Sequence, residues 1–106
     1  MNKMKMMLFV SSHCPHCPIA ENIVRKVAPQ YYKYGLEFRK IRLKTRTGKE
    51  LSEQFNVLST PTILITNKSG LEVQRIVGVP SESNLKNKLE SGLGLKKSLF
   101  NRIFGG

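Results

Sequence analysis

The chain has 106 residues, of which 40% are hydrophobic and 24% are charged, and its formal net charge is +11. This length has room for one compact domain, and the two cysteines are too few to hold a small secreted fold together, which excludes a disulfide scaffold. The basic excess raises nucleic acid, anionic membranes and acidic proteins as classes of partner.

The N-terminal segment predicts a buried strand rather than an export signal. Lys5 to Ser11 is a nearly continuous apolar run, which is typical of a strand buried on both faces. Its apolar part, Met6 to Val10, is shorter than the roughly 7 to 15 apolar residues of a signal peptide. No apolar run approaches the roughly 20 residues that span a bilayer. We therefore expect a cytoplasmic protein, in which two close cysteines are redox-active or bind a metal.

An amphipathic helix is predicted after this strand. It should begin near Pro15, because proline favours the first helical position. Apolar residues then recur at helical spacing: Ile19, Ile23, Val24 and Val27. Pro29 disfavours helical geometry at Ala28, so we expect the helix to stop or kink there.

The middle of the chain predicts a second strand followed by a short helix. Leu36 to Leu43 has a strand composition with Phe38 and Ile41 inside, although the alternation slips by one residue. Thr47, followed three residues later by Glu50, is a capping signal for the helix. Two apolar residues supply its buried stripe: Leu51 and Phe55.

A hairpin and a last helix complete the predicted order. Thr62 to Thr66 and Leu71 to Val77 are rich in branched residues, and the turn-forming segment 67–70 joins them. Ser81 can cap a helix with one apolar face: Leu85, Leu89 and Leu93. The sequence therefore predicts an α/β fold in which β-α-β-α is followed by an antiparallel hairpin and a helix.

The two cysteines stand where the first strand gives way to the first helix. A helix N-terminus presents unpaired N–H groups, so we expect the pKa of the Cys14 thiol to be lowered. The separation of Cys14 and Cys17 places both sulfurs on one helical turn, close enough to form a disulfide. We interpret Cys14 as the nucleophile of thiol–disulfide exchange and the more buried Cys17 as the resolving thiol. An inert pair of small buried residues is the alternative.

Two histidines flank the first cysteine. The imidazolium of His16 would stabilise the Cys14 thiolate and make the couple more oxidising, unless His16 is simply a solvated side chain. His13 either adds positive potential or is a surface residue. We predict no metal site, because two cysteines and two histidines crowded into one short segment oppose tetrahedral spacing. We also expect no bound cofactor, only a redox-active disulfide between Cys14 and Cys17.

Two motifs in the right order resemble the thioredoxin superfamily, in particular the short, glutaredoxin-sized thioredoxins of archaea. They are Cys14-Pro15-His16-Cys17 and the segment 55–62, Phe-Asn-Val-Leu-Ser-Thr-Pro-Thr, within a resemblance that covers about residues 5–93. The resemblance implies a minimal thioredoxin fold for residues 1–94, a mixed four-stranded sheet flanked by helices. It also implies that Pro61 is a cis proline, that Thr60 offers backbone hydrogen bonds to an extended substrate, and that Gly78 lets a partner approach closely.

Departures from the family pattern define the alternatives. The chain has no Trp, which is a departure from the family pattern. It also has no Asp, so no base can be assigned to Cys17, and we expect water to take its proton. The segment 78–81 lacks the Gly-Gly and the acid with which glutaredoxins bind glutathione. We predict a reductase of protein disulfides that is served by an unidentified reducing partner. The alternatives are a glutathione-dependent glutaredoxin and a non-enzymatic module that binds an iron–sulfur cluster or a metal across a dimer.

The positive charge is concentrated in the second strand and the loop after it: Arg39, Lys40, Arg42, Lys44, Arg46 and Lys49. We expect this basic edge to be solvated or to steer acidic proteins, rather than to bind nucleic acid, because the motifs of nucleic-acid modules are missing.

A basic amphipathic extension, residues 95–106, follows the predicted domain. Its apolar residues recur at helical spacing: Leu95, Leu99, Phe100, Ile103 and Phe104. We expect this stripe to pack onto the domain or onto a second subunit, with binding to an anionic membrane as the alternative. For the protein as a whole we expect a monomer.

Overall fold

The computed structural model describes residues 3–94, so the predicted extension 95–106 lies outside the described residues. The predicted order of elements is confirmed. The elements are β1 (Met4–Val10), α1 (Cys17–Val27), a 3₁₀ helix (Ala28–Tyr34), β2 (Leu36–Arg42), α2 (Arg46–Gln54), β3 (Thr62–Thr66), β4 (Glu72–Val77) and α3 (Glu82–Leu93).

The four strands form one mixed sheet in the order β2-β1-β3-β4. β1 runs parallel to β2 and antiparallel to β3, and β3 and β4 form the predicted antiparallel hairpin. Phe9 near the end of β1 pairs with Thr62 at the start of β3, and Thr62 pairs with Val77 at the end of β4. The ends of β1, β2 and β4 and the start of β3 therefore meet at one end of the sheet.

β1 is buried on both faces, as its apolar run predicts. Met6 and Leu8 face the main core, which α1 and α3 cover. Met7 and Phe9 face a smaller core on the other side, where Leu51 and Phe55 pack. The same division explains the slipped alternation of β2. Phe38 packs against the main core and Ile41 lies in the smaller one, because residues an odd number of positions apart point to opposite faces of a strand.

Two predictions for α1 and the segment after it need correction. Ile19 is 51% exposed, because the buried stripe starts at Cys17 and Ile19 lies about 200° further round the helix. The stripe consists of Cys17, Ala20, Val24 and Val27. α1 ends at Val27, as Pro29 predicts, but the helical geometry that was expected to be lost at Ala28 is kept. Ala28 stays helical, with a φ of −54°, and a 3₁₀ helix continues to Gly35, whose φ is +92°.

α2 begins at Arg46, and its N-cap is Thr45 rather than Thr47. The backbone N–H of Gly48 donates to Oγ1 of Thr45 at 2.9 Å. Gly48 is buried against the end of β2, where an added Cβ would overlap the carbonyl oxygen of Arg42. The capping position is therefore set by a close contact between the helix and the strand, which local sequence spacing does not reveal.

α3 matches its prediction, because the N–H of Asn84 donates to Oγ of Ser81 at 3.1 Å and Leu85 and Leu89 are fully buried. The hydroxyl of the buried Tyr31 donates to Glu90 at 2.7 Å and ties the 3₁₀ helix to α3. Burial and this hydrogen bond raise the pKa of Tyr31 well above its usual value. No helix between residues 3 and 94 is long and apolar enough to cross a lipid bilayer.

Candidate active site

Cys14 and Cys17 lie just beyond the end of β1, at the end of the sheet where three other strand termini meet. They are joined as a disulfide, with their Cα atoms 5.4 Å apart, within the usual range for such a bond. Cys14 is half-buried, whereas Cys17 is 4% exposed and lies in the main core. The predicted difference in exposure between the two cysteines is present.

A tight turn, not a helix, connects the cysteines. The N–H of Cys17 donates to the carbonyl of Cys14 at 3.3 Å, and Pro15 occupies the second position of this turn, where its fixed φ is favoured. α1 begins at Cys17, so the predicted start near Pro15 is two residues early. The next residue, Pro18, has no N–H to donate to the carbonyl of Cys14. Cys14 therefore lies just before the N-terminus of α1, where the positive end of the helix dipole favours an anion.

The two histidines lie on the surface beside the cysteines. His16 is the N-cap residue of α1, but its exposed side chain makes no capping hydrogen bond. His13 is also exposed. Within residues 3–94, no group of three or more His, Cys, Asp or Glu side chains is placed to hold a metal ion.

The loop before β3 is joined to the cysteine loop and to the end of β4. The Thr60–Pro61 peptide bond is cis, as the resemblance implies. The hydroxyl groups of Ser11 and Thr60 lie 3.0 Å apart in a hydrogen bond, and the N–H of Gly78 donates to the carbonyl of Pro61 at 2.8 Å. Gly78 has a φ of +94°, and nothing lies within 4 Å of the position of a Cβ. The structure thus gathers Thr60, Pro61 and Gly78 beside the cysteine loop.

Exposed apolar side chains flank this loop. Leu58 is 85% exposed, Val77 64% and Val79 40%. We call these three residues the apolar rim. The rim was not predicted from the sequence, because apolar branched residues in a predicted strand or loop do not reveal whether they are exposed or buried. The available signal was their position, just before Pro61 and on either side of Gly78.

A groove of about 330 Å³ borders the cysteines on the side of α1 and β2. We call it the basic groove, because three cations and one acid line it: Lys40, Arg42, Lys44 and Glu21. Both cysteines contribute to its lining, and the remaining lining residues are Val10, Ser11, Ser12, Pro18, Leu43 and Thr45.

The single acid of the groove is held in an ion-pair network. Glu21 lies one helical turn after Cys17 and accepts hydrogen bonds or ion pairs from Arg25 at 2.8 Å and Lys40 at 3.0 Å. The hydrogen bond from Arg25, followed by that from Lys40, lowers the pKa of Glu21 below its usual value of 4.5. Glu21 was not identified from the sequence as an acid of the site. The signal was its position four residues after Cys17, which places both residues on one side of α1.

Arg75 supports the apolar rim from β4. Its guanidinium donates to the carbonyls of Phe55 and Asn56, the latter at 3.3 Å, and is held by Glu72 at 2.7 Å. The hydrogen bond from Arg75 also lowers the pKa of Glu72. Since the chain runs directly from Asn56 to Leu58, this contact fixes the base of the loop that carries the rim.

A buried strand that leads into a Cys-x-x-Cys turn, a helix that begins at the second cysteine and a cis proline just before the adjacent strand define a thiol–disulfide oxidoreductase of the thioredoxin fold. Residues 1–93 match the family model of the thioredoxin-like domain. The chain therefore belongs to the thioredoxin family.

Archaeal relatives and solved structures agree with this assignment. A probable thioredoxin of Archaeoglobus fulgidus is 33% identical over 90 residues, which cover 82% of this chain and 90% of the relative. A thioredoxin of Methanocaldococcus jannaschii is 29% identical over 93 residues, which cover 88% of this chain and all of the relative. The structure of a mutant thioredoxin from Halobacterium salinarum superposes with a TM-score of 0.73 at 25% identity, covering 87% of this chain and 76% of that one.

Proposed function

We propose that this oxidoreductase reduces disulfide bonds of proteins in the cytoplasm, with Cys14 as the nucleophile and Cys17 as the resolving thiol. The observation that carries the proposal is the unequal exposure of the two disulfide-linked cysteines beside the loop of Pro61. A substrate can reach the half-buried Cys14, whereas Cys17 exposes too little surface to be attacked first. The cytoplasmic location fits this direction of electron flow, because thiols there are kept reduced.

The first step joins the protein to its substrate. The Cys14 thiolate attacks one sulfur of the substrate disulfide, a new S–S bond forms between protein and substrate, and the other substrate sulfur leaves as a thiolate that takes a proton from solvent. The positive end of the α1 dipole favours the thiolate form of Cys14 before the attack.

The second step releases the product. Cys17 loses its proton to solvent and attacks the sulfur of Cys14, which re-forms the Cys14–Cys17 disulfide and expels the second substrate sulfur as a thiolate that takes a proton from solvent. Two electrons have then passed from the dithiol of the protein to the substrate. An external dithiol reductant must return the protein to its reduced form before the next cycle.

The loop residues bind the substrate segment beside its disulfide. Among the residues that the structure describes, the backbone N–H and C=O of Thr60 form no hydrogen bond, so they are free to pair with an extended substrate. Pro61 shapes the adjoining surface, Gly78 leaves room for the substrate backbone, and the apolar rim is covered on binding. The imidazolium of the exposed His16 stabilises the Cys14 thiolate and so raises the redox potential of the Cys14–Cys17 couple.

Two cysteine variants test the assignment of roles. Cys14→Ser should reduce neither a model protein disulfide nor a glutathione mixed disulfide. Cys17→Ser should fail on the protein disulfide and accumulate a covalent complex with it through Cys14. If both activities survived Cys14→Ser, the proposed function would be wrong. If Cys17→Ser retained only the glutathione-linked activity, the protein would be a glutaredoxin that also acts with one thiol.

The redox potential tests the direction. Equilibration with a glutathione buffer, followed by alkylation of free thiols, measures the potential without a tryptophan, which the chain lacks. A potential near about −270 mV supports a reductase, and one near about −120 mV would instead indicate an oxidant.

A further inference from the structure

The basic groove adds a substrate preference to the proposed function. Within the described residues, Lys40 pairs with Glu21, but neither Arg42 nor Lys44 has an acidic group within ion-pair distance. Arg42 and Lys44 are both exposed and both line the groove that reaches the two cysteines. The groove therefore presents cationic charge to whatever occupies it, because within the described residues Glu21 pairs with Lys40 and no acid pairs with the other two cations.

A short, well-anchored turn carries the two free cations. The N–H of Leu43 donates to the carbonyl of Val10 at 3.1 Å, which fastens the turn to the end of β1. Thr45 donates to the carbonyl of Arg42 both from its N–H, at 3.1 Å, and from its hydroxyl, at 2.8 Å. Gly48 closes the turn by packing against the same carbonyl. Because the backbone is held before binding, little chain ordering opposes the capture of an anion there.

From these observations we infer that the protein selects disulfide substrates that carry Asp or Glu close to the reacting cysteine, through contacts of those carboxylates with Arg42 and Lys44. The inference rests on the proposed function, because the groove matters only when a disulfide is seated at Cys14. A carboxylate in the groove would meet two exposed cations and add a favourable contact that a neutral side chain lacks. The net charge of +11 would also speed the approach of an acidic substrate, whichever surface it meets first.

The test uses three synthetic peptides that share one disulfide and differ only in the two residues beside it, which are Glu, Gln or Lys. The second-order rate constant for reduction of each peptide by the fully reduced protein is the measurement. The natural sequence should reduce the Glu peptide roughly three- to tenfold faster than the Gln peptide, since exposed ion pairs contribute modestly. The Lys peptide should be the slowest of the three.

The decisive variant is Arg42→Gln with Lys44→Gln. It should lose most of the preference for the Glu peptide over the Gln peptide, and Arg42→Glu with Lys44→Glu should prefer the Lys peptide. The matched control is Lys33→Gln with Lys68→Gln, which removes the same charge from exposed positions before β2 and in the hairpin turn, at the far end of the sheet. This control should keep the preference for the Glu peptide.

The outcomes separate the inference from the proposed function. Equal rates for the three peptides with the natural sequence would overturn the inference and leave the reductase intact. Equal loss of preference in the groove variant and the control would also overturn it, because the overall charge would then be responsible. Failure to reduce any peptide would overturn the proposed function itself.

Discussion

The two sides of the disulfide differ in the kind of contact they offer. The apolar rim, on the side of β3 and β4, presents Leu58, Val77 and Val79 to solvent. The basic groove, on the side of α1 and β2, presents Arg42 and Lys44. Apolar burial is non-directional and insensitive to charge, whereas cations discriminate among partners. The apolar rim would therefore bind any disulfide-containing segment, whereas the basic groove would discriminate between segments by their charge.

Each side also has its own support. The rim depends on backbone hydrogen bonds and on Arg75, which holds the carbonyls of Phe55 and Asn56. The groove depends on the packing of Gly48 against the carbonyl of Arg42. Substitutions can therefore disturb one side while leaving the other in place.

The largest effect is expected from Gly48→Ala, which disturbs the backbone that supports the groove. The added Cβ overlaps the carbonyl oxygen of Arg42, so the strand and α2 must move apart. We expect a loss of about 1 to 3 kcal/mol in the free energy of unfolding, measured with denaturant. The preference for a Glu-flanked peptide should also fall, because the turn with Arg42 and Lys44 shifts.

Gly92→Ala is the matched control, since Gly92 also lies in a helix, α3, near its end. Its added Cβ would meet side-chain carbons of Ile65 and Val73 at 3.4 and 3.5 Å, which is tolerable contact. Helix propensity then dominates, and the control should gain roughly 0.5 to 1 kcal/mol. If Gly48→Ala were as stabilising as Gly92→Ala, the close packing of α2 against β2 would be refuted.

The next largest effect is expected from Leu58→Ser, which disturbs the rim alone. Leu58 is 85% exposed, so the substitution should leave stability unchanged. It should lower the second-order rate constant for Glu-, Gln- and Lys-flanked peptides alike, by roughly tenfold, as burial of a leucine by substrate is lost. Leu71→Ser, at an exposed position in the far hairpin, is the control and should have no effect. If Leu58→Ser lowered the rate constant for only one of the three peptides, the rim would discriminate between substrates by charge.

Ionic strength should separate the two sides without any substitution. Raising salt from about 0.01 M to 1 M shortens the screening length from roughly 30 Å to 3 Å. The advantage of the Glu peptide over the Gln peptide should shrink by several-fold, whereas the effect of Leu58→Ser should persist. A rate ratio that did not change with salt would argue against charge recognition in the groove.

The sequence predicts the fold and the disulfide-linked pair of cysteines well, because these depend on local patterns. The apolar run of β1, the turn residues of the hairpin and the cap at Ser81 each act within a few positions of the chain. The sequence also predicts a basic edge that includes Lys40, Arg42 and Lys44, but neither the position of these cations beside the cysteines nor the exposure of the rim was predictable in this way. The pairing of Glu21 with Lys40 requires α1 to lie over β2, and the exposure of Val77 requires its face of β4 to remain uncovered.

The two threonines near the start of α2 show the same limit on a smaller scale. Thr47 has the better local signal, since Glu50 follows it at the spacing of a capping box. Thr45 is the cap because its Oγ1 accepts from the N–H of Gly48, and Gly48 packs against the carbonyl of Arg42 at the end of β2. A contact between elements thus overrides the local preference.

The smallest effect is expected from Glu21→Gln in the groove, on how the free energy of unfolding changes with pH. Ion pairing lowers the pKa of Glu21 in the folded protein below its usual value of 4.5. Its contribution to stability is therefore present above about pH 4.5 and is lost as the pH falls through the folded-state pKa. Between pH 6 and pH 3 the free energy of unfolding should fall more for the natural sequence than for the variant, by no more than about 1 kcal/mol. Glu53→Gln, which removes an exposed acid without an ion pair in the described part of α2, should keep the natural slope. If the free energy of unfolding changed equally with pH for Glu21→Gln and the natural sequence, the ion pair between Glu21 and Lys40 would contribute nothing to stability. It would then not offset any of the positive charge of the groove.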